Sequence, residues 1–365
     1  MSLFTPIQIG AISPSHRVVM APLTRLRADA DHVPLPMSTV YYEQRASVPG
    51  TFIIAEATLP SLSSGGVPHA PGLFSDAQIQ TWKQVTDAVH AKGSYIFCQL
   101  VAPGRAADPS TLLKEGGYDL RAPSAIPMSE DAPVPRALTE AEIHEAIHDF
   151  VAAGRNAMSA GFDGVEVHGA NGYLVDQFMQ DVTNQRSDGW GGSIERRARF
   201  GVEVAKALAE AIGPDRVGFR ISPFNTWQGM KMADPVPQFS YLVKQLGELR
   251  LAYLHVIESR VVNNVDCEDG ESIKPFLERW GSAPVLVAGG YKPENVCKAL
   301  DEDYRGFNVA VVFGRHFLAN PDLPFRLKHG IPLQKYDRDT FYAATQAKGY
   351  ADYPFSEEFL ATQRD

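Results

Sequence analysis

Hydrophobic and polar positions along the 365-residue chain alternate between two rhythms. Eight short, β-rich apolar runs stand at Arg17–Pro22, Phe52–Glu56, Ser94–Leu100, Gly164–His168, Val217–Ile221, Tyr253–Ile257, Val285–Ala288 and Phe307–Phe313. Several are continuously apolar, the pattern of strands covered on both faces. Most are separated by segments with helical periodicity, which predicts parallel pairing. The clearest helices are Asp76–Ala91, Thr139–Ala160, Ile194–Ile212 and Pro235–Leu246. Eight strands with intervening helices and no break in composition predict a (β/α)8 TIM barrel, a single domain over residues 1–365.

Local signals sharpen this outline. Thr139-Glu-Ala-Glu142 reads as a capping box at a helix start. Asn320-Pro321-Asp322 reads as an N-cap followed by proline at the first helical position. The segment Leu3–His16 is expected to form an N-terminal plug under the barrel. Two connections are unusually long, Val101 to Leu138 and Ala170 to Ser193. Both follow strand C-termini, the face on which barrel enzymes carry their active sites, so they read as active-site lids.

Composition narrows the function classes. A net charge of −9 disfavours nucleic acid and anionic membranes as partners. No apolar run reaches about 18 residues, so no membrane span is expected. The start MSLFTPIQIG does not read as a signal peptide, nor the end ATQRD as a targeting signal. Cys98, Cys267 and Cys297 are too few and too scattered for a disulfide scaffold, and a reducing cytoplasmic setting is expected.

The densest constellation of chemistry is Val165-Glu-Val-His168-Gly-Ala-Asn171-Gly-Tyr173-Leu-Val-Asp-Gln-Phe178. A strand ends at His168, and polar groups follow at 171 and 173. His168 and Asn171 can both donate to one oxygen on which negative charge develops. A nearby tyrosine hydroxyl can deliver a proton without prior charge. The competing account is a strand-end histidine, a turn asparagine and a packed tyrosine.

Here the sequence resembles the Old Yellow Enzyme family of FMN-dependent ene-reductases. The resemblance runs from Phe4-Thr-Pro-Ile to Tyr350-Ala-Asp-Tyr-Pro354. It is carried by Ala21-Pro-Leu-Thr24-Arg25, Tyr41-Tyr-Glu-Gln-Arg45, His168–Phe178 and Trp190-Gly-Gly-Ser-Ile-Glu-Arg196. Phe313-Gly-Arg315, Asn320-Pro-Asp-Leu323 and Lys335-Tyr-Asp-Arg338 extend it.

The resemblance implies a two-half-reaction reductase of activated C=C bonds, with FMN as cofactor and NADPH or NADH as hydride donor. His168 and Asn171 would grip the oxygen of an enone or enal, and Tyr173 would protonate its α-carbon. Thr24 would bond the flavin carbonyl next to N5, Gln99 the pyrimidine edge, and Arg220 would stand near N1. Further flavin contacts are implied at Pro22, Leu23, Ala57, Gly289 and Phe313. The branch resembled also contains double-bond isomerases of fungal secondary metabolism, an alternative without net nicotinamide turnover. A monomer or homodimer is expected.

Fold physics points to the phosphate site independently. Barrels commonly bind phosphate with the loops after strands seven and eight, which here read Ala288-Gly-Gly290 and Phe313-Gly314-Arg315. Arg315 offers charge-assisted contacts. The absence of a GxGxxG fingerprint favours FMN over FAD.

Three signals compete or depart. His144-Glu145-Ala-Ile-His148 fits the HExxH zinc signature, but it sits on an outer-ring helix and is read as a solvated face; no metal is expected. Tyr342 is a candidate substrate contact at the mouth. Val101 stands where the family often has tryptophan, and Gly65-Gly-Val-Pro-His69 lacks an aromatic residue often found there, so both put the substrate in question rather than the reaction class.

Overall fold

The computed structural model describes residues 2–259, 261–262, 265–266 and 270–364; Cys267 lies outside the described residues. The barrel strands are β1 Val18–Met20, β2 Phe52–Thr58, β3 Tyr95–Leu100, β4 Gly164–Gly169, β5 Val217–Ile221, β6 Tyr253–Ile257, β7 Val285–Ala288 and β8 Val309–Phe313. Each pairs in parallel with its sequence neighbours, and β1 pairs with both β2 and β8, closing the ring. The outer helices include α1 Met37–Arg45, α2 Asp76–Ala91, α3 Glu140–Ser159, α4 Ile194–Ile212 and α5 Pro235–Glu248.

Buried β-branched and aliphatic residues form the strands because both of their faces are covered, one by helices and one by the barrel interior. The interior is stratified. Its lower part is apolar, built from Val19, Phe52, Phe97, Tyr253, Leu286 and Ala310. Ile7, Ile9 and Ile12 close it from below, so the N-terminal segment is the expected plug. Aromatic rings fit inside because facing strands give way: a Cβ on Gly218 would stand 2.1 Å from the Tyr253 ring. Higher up, the inward positions are Gln99, Glu166, His168, Arg220 and His255, paired across neighbouring strands.

The expected capping box holds: Glu142 N–H donates to Thr139 Oγ1 and Thr139 N–H to Glu142 Oε2. The expected cap at Asn320 does not. A short helix, Arg315–Ala319, ends at Asn320, and the next begins only at Leu323, with Pro324 in its first turn. Asp322 makes no capping bond; its carboxylate takes Arg326 Nε at 2.8 Å and Ser356 N–H at 2.9 Å. A tertiary demand on that side chain shifted the start.

The two long connections are structured. Residues 101–138 contain helix Pro109–Gly116, capped by Asp108, and a two-stranded pairing of Arg121–Ala122 with Arg136–Ala137. The second connection carries helix Leu174–Met179. His144, Glu145 and His148 are exposed on α3, and His144 packs edge-on against Trp190. Among the described residues no helix is long and apolar enough to cross a membrane.

Candidate active site

Beyond β4 the chain turns through Ala170–Tyr173, closed by a bond from Tyr173 N–H to Ala170 O. Asn171 and Gly172 both take left-handed backbone, with φ of 57° and 80°. Glycine adopts this region freely, and asparagine tolerates it better than most residues. The helix that follows grips the turn. Gly172 N–H donates to Asp176 Oδ2 at 2.9 Å, and Gln177 Nε2 donates to Gly172 O at 2.7 Å. Ser222 Oγ takes the Asn171 N–H at 2.7 Å.

Backbone-anchored bonds set the polarity of the two donors. Trp227 N–H donates to Asn225 Oδ1 at 2.9 Å, which leaves Asn225 Nδ2 to donate to Asn171 Oδ1 at 2.8 Å. Asn171 therefore turns its amide N–H groups, not its oxygen, to remaining partners. His168 Nδ1 accepts the Ala170 N–H at 3.3 Å, which puts the ring proton on Nε2. Burial, with Arg220 and His255 alongside, holds His168 well below the usual imidazole range, so it donates while neutral. Tyr173 packs edge-on against His168, centroids 4.8 Å apart. Burial and the neighbouring Tyr342 raise its hydroxyl above the ordinary phenol value, against an opposing hydrogen bond from Gln228. The hydroxyl is thus kept protonated at neutral pH.

These groups overlook a cavity of about 420 Å³ at the strand C-termini. Pro22, Leu23, Thr24, Gln99, Arg220, Gly289, Gly290, Phe313, Gly314, Arg315 and Tyr342 line it together with His168, Asn171 and Tyr173. Ala57 stands apart. The β2 register shifts between Ala55 and Thr58, and Ala57 packs with Leu59, Ala70 and Val101, alongside Tyr173. Val101 is buried in the same small cluster and does not line the cavity.

The two ends of the cavity differ in chemistry. At one, Arg220 lines the wall with its Nε buried and without a hydrogen-bond partner. Burial lowers its pKa, opposed by Glu166, Tyr253 and Tyr173, and a guanidinium remains charged through such a shift. At the other, Gly289 and Gly290 take φ of 142° and 63°, and Arg315, Lys292 and Arg338 are among the lining residues. Arg315 also bonds the Tyr336 hydroxyl at 3.3 Å. Flexible-backbone glycines beside cations suit a phosphate.

Lys292, Asn225, Trp227, Arg338 and Phe341 also line the cavity; the sequence reading gave none of them a role and named only Arg338, within a motif. Lys292 could have been noted, since it follows Gly289-Gly-Tyr by one residue. Asn225 carries no local signal: its partner lies 54 residues away on another strand's loop.

A guanidinium whose buried Nε lacks a hydrogen-bond partner, together with glycines beside cations after β7 and β8, suits a phosphorylated cofactor, and the residues present fit FMN. Comparison with known proteins is decisive on family. Residues 2–334 match the NADH:flavin oxidoreductase / NADH oxidase family, and the chain belongs to it as a flavin oxidoreductase. It is 54% identical over 358 residues to a chanoclavine-I aldehyde reductase of Penicillium roqueforti, covering 98% of this chain and 97% of that one. A probable inactive reductase of Epichloe festucae var. lolii is 50% identical, covering 100% and 97%. Among solved structures, the Old Yellow Enzyme from Pichia sp. AKU4542 superposes with a TM-score of 0.91 at 38% identity, covering 98% of this chain and 94% of that one.

Proposed function

We propose that the chain reduces the activated C=C bond of an α,β-unsaturated carbonyl compound at the expense of NAD(P)H, with Tyr173 as proton donor. The observation that carries this reading is the polarity of the triad: a neutral His168 with its proton on Nε2, an Asn171 amide with its donors free, and a protonated Tyr173 beside them. When bound, FMN supplies a hydride carrier, charged by NAD(P)H and discharged to the substrate β-carbon. His168 Nε2–H and Asn171 Nδ2–H donate to the substrate carbonyl oxygen and stabilise the charge that builds there. Tyr173 Oη–H delivers its proton to the α-carbon. Thr24, Gln99 and Arg220 would hold the ring, and Gly290, Gly314 and Arg315 its phosphate; Ala57 would support this wall from behind. Tyr342, 63% exposed, would border the substrate at the mouth.

NADPH is the favoured donor because a 53% identical relative from Aspergillus flavus, covering 98% of this chain and 97% of that one, is an NADP-dependent oxidoreductase. A monomer or homodimer is proposed, and free thiols at Cys98 and Cys297 suit the proposed cytoplasmic setting. The second reading is the alternative that the family resemblance implies, flavin-dependent isomerisation of a double bond, and the 50% identity to a probable inactive reductase is the reason net reduction itself is put to the test. One experiment separates them. Tyr173→Phe should leave flavin reduction by NADPH within about threefold of wild type and slow reoxidation by cyclohexenone by about 10²–10⁴, the usual contribution of a general acid. Unchanged reoxidation refutes the donor assignment, and wild-type turnover without stoichiometric NADPH loss supports isomerisation.

A further inference from the structure

Below the cavity floor sits a buried carboxylate that the proposed chemistry does not use. Glu166 is fully buried; its Oε1 accepts Gln99 Nε2–H at 2.7 Å and its Oε2 accepts His255 Nδ1–H at 2.8 Å. Gln99 and Arg220 line the cavity, whereas Glu166 and His255 do not. The register explains the arrangement, since Glu166 faces Gln99 across β3–β4 and His255 faces Arg220 across β5–β6. Burial raises the Glu166 pKa, but His255, Arg220 and Gln99 outweigh it and the carboxyl is held below its usual value. Burial lowers the His255 pKa, opposed chiefly by Glu166. A carboxylate therefore lies beneath the floor, and the Arg220 guanidinium lines the cavity above it.

We propose that Glu166 is a positioning residue of the flavin site: it turns Gln99 so that the carbonyl oxygen faces the cavity, and it sets the cofactor's reduction potential by opposing Arg220. The inference rests on the FMN reading above. An amide offers a donor at one end and an acceptor at the other. With Nε2 spent on the carboxylate, Gln99 has only its Oε1 acceptor to present, the partner a ring imide N–H requires. The reduced cofactor is the more negative form, so Arg220 favours it. A carboxylate in the dry interior is poorly screened and offsets that preference.

The test compares holoenzymes of wild type and Glu166→Gln by anaerobic reduction against a reference dye of known potential. Neutralising Glu166 should shift the oxidised/reduced equilibrium at least tenfold toward the reduced form, about 30 mV upward for a two-electron couple. Glu166→Asp keeps the charge but is one methylene shorter. It should hold the potential equilibrium within threefold of wild type while apoprotein binds FMN at least tenfold more weakly, read by quenching of FMN fluorescence. A Glu166→Gln protein that carries one FMN and keeps the wild-type potential overturns the proposal. Should that variant not load, Glu166→Asp decides: wild-type FMN affinity overturns it. Collapse of both variants to unfolded protein would make Glu166 structural and overturn it too. Failure of the wild type to bind FMN would instead refute the proposed function.

Discussion

Exchanging Asn225 for aspartate replaces one amide nitrogen by oxygen, yet the hydrogen-bond chain makes it more damaging than truncation. Asn225 Oδ1 is fixed by the Trp227 N–H, so Nδ2 is the atom that meets Asn171 Oδ1 at 2.8 Å. Asn225→Ala deletes two hydrogen bonds, of which the one to Asn171 bears on the substrate site: a bond between neutral groups, about 0.5–1.5 kcal/mol, or roughly 2- to 13-fold in the rate of enone reduction. Asn225→Asp sets a carboxylate oxygen against Asn171 Oδ1. The amide of Asn171 then rotates, gives its N–H groups to the new carboxylate, and points its oxygen at the substrate carbonyl. One donor to the developing oxyanion is lost and a repulsive acceptor takes its place, an effect of about 10²–10³ by analogy with single oxyanion-hole donors. The assay is stopped-flow reoxidation of the reduced enzyme by cyclohexenone, alongside titration with a phenol, which mimics an enolate at that oxygen. Aspartate should be at least tenfold worse than alanine in both. Equal effects, or an alanine variant worse than aspartate, would refute the assigned orientation of Asn171.

Two further outcomes follow from buried groups around the site. Burial raises the Asp176 carboxyl to about 7, opposed by bonds from Gln180 and Gly172 N–H and by Arg105. Because the folded value lies above the unfolded one, its stabilising contribution is complete below about pH 4 and is lost as pH rises through about 7. Asp176→Asn should therefore flatten the decline in Tm between pH 5 and 8; an unchanged slope contradicts this. Arg27 donates to the backbone oxygens of Thr340, Phe341 and Gln346, the segment that carries Tyr342 to the cavity. Arg27→Ala should speed limited proteolysis within residues 340–349 and raise the KM for enones several-fold while FMN content is retained; wild-type cleavage would argue against the latch.

How far the sequence carried depends on whether a residue's partner is local. The strand cores of β5, β6 and β7 and the bounds of α2 and α4 matched their apolar patterns because burial and caps are written within each segment. Helix Pro109–Gly116 was legible too, through Asp108 and the proline after it, but was passed over inside a long connection. The Asn320 cap misled because Asp322 is committed to Arg326 and to Ser356, 34 residues on. Glu166 and His168 stand two residues apart and so share one side of β4, yet nothing local names Gln99 and His255 as the partners of Glu166. The Arg25 and Arg27 contacts to the C-terminal segment span more than 300 residues, beyond any periodicity.

The account stands on a ring cofactor lying in the cavity beneath His168, Asn171 and Tyr173. The direct measurement is the visible spectrum of the purified protein under anaerobic conditions. It should be yellow, release one FMN per chain on denaturation, bleach with NADPH and regain its colour with cyclohexenone. A colourless protein that takes up no FMN when the cofactor is added back would contradict it.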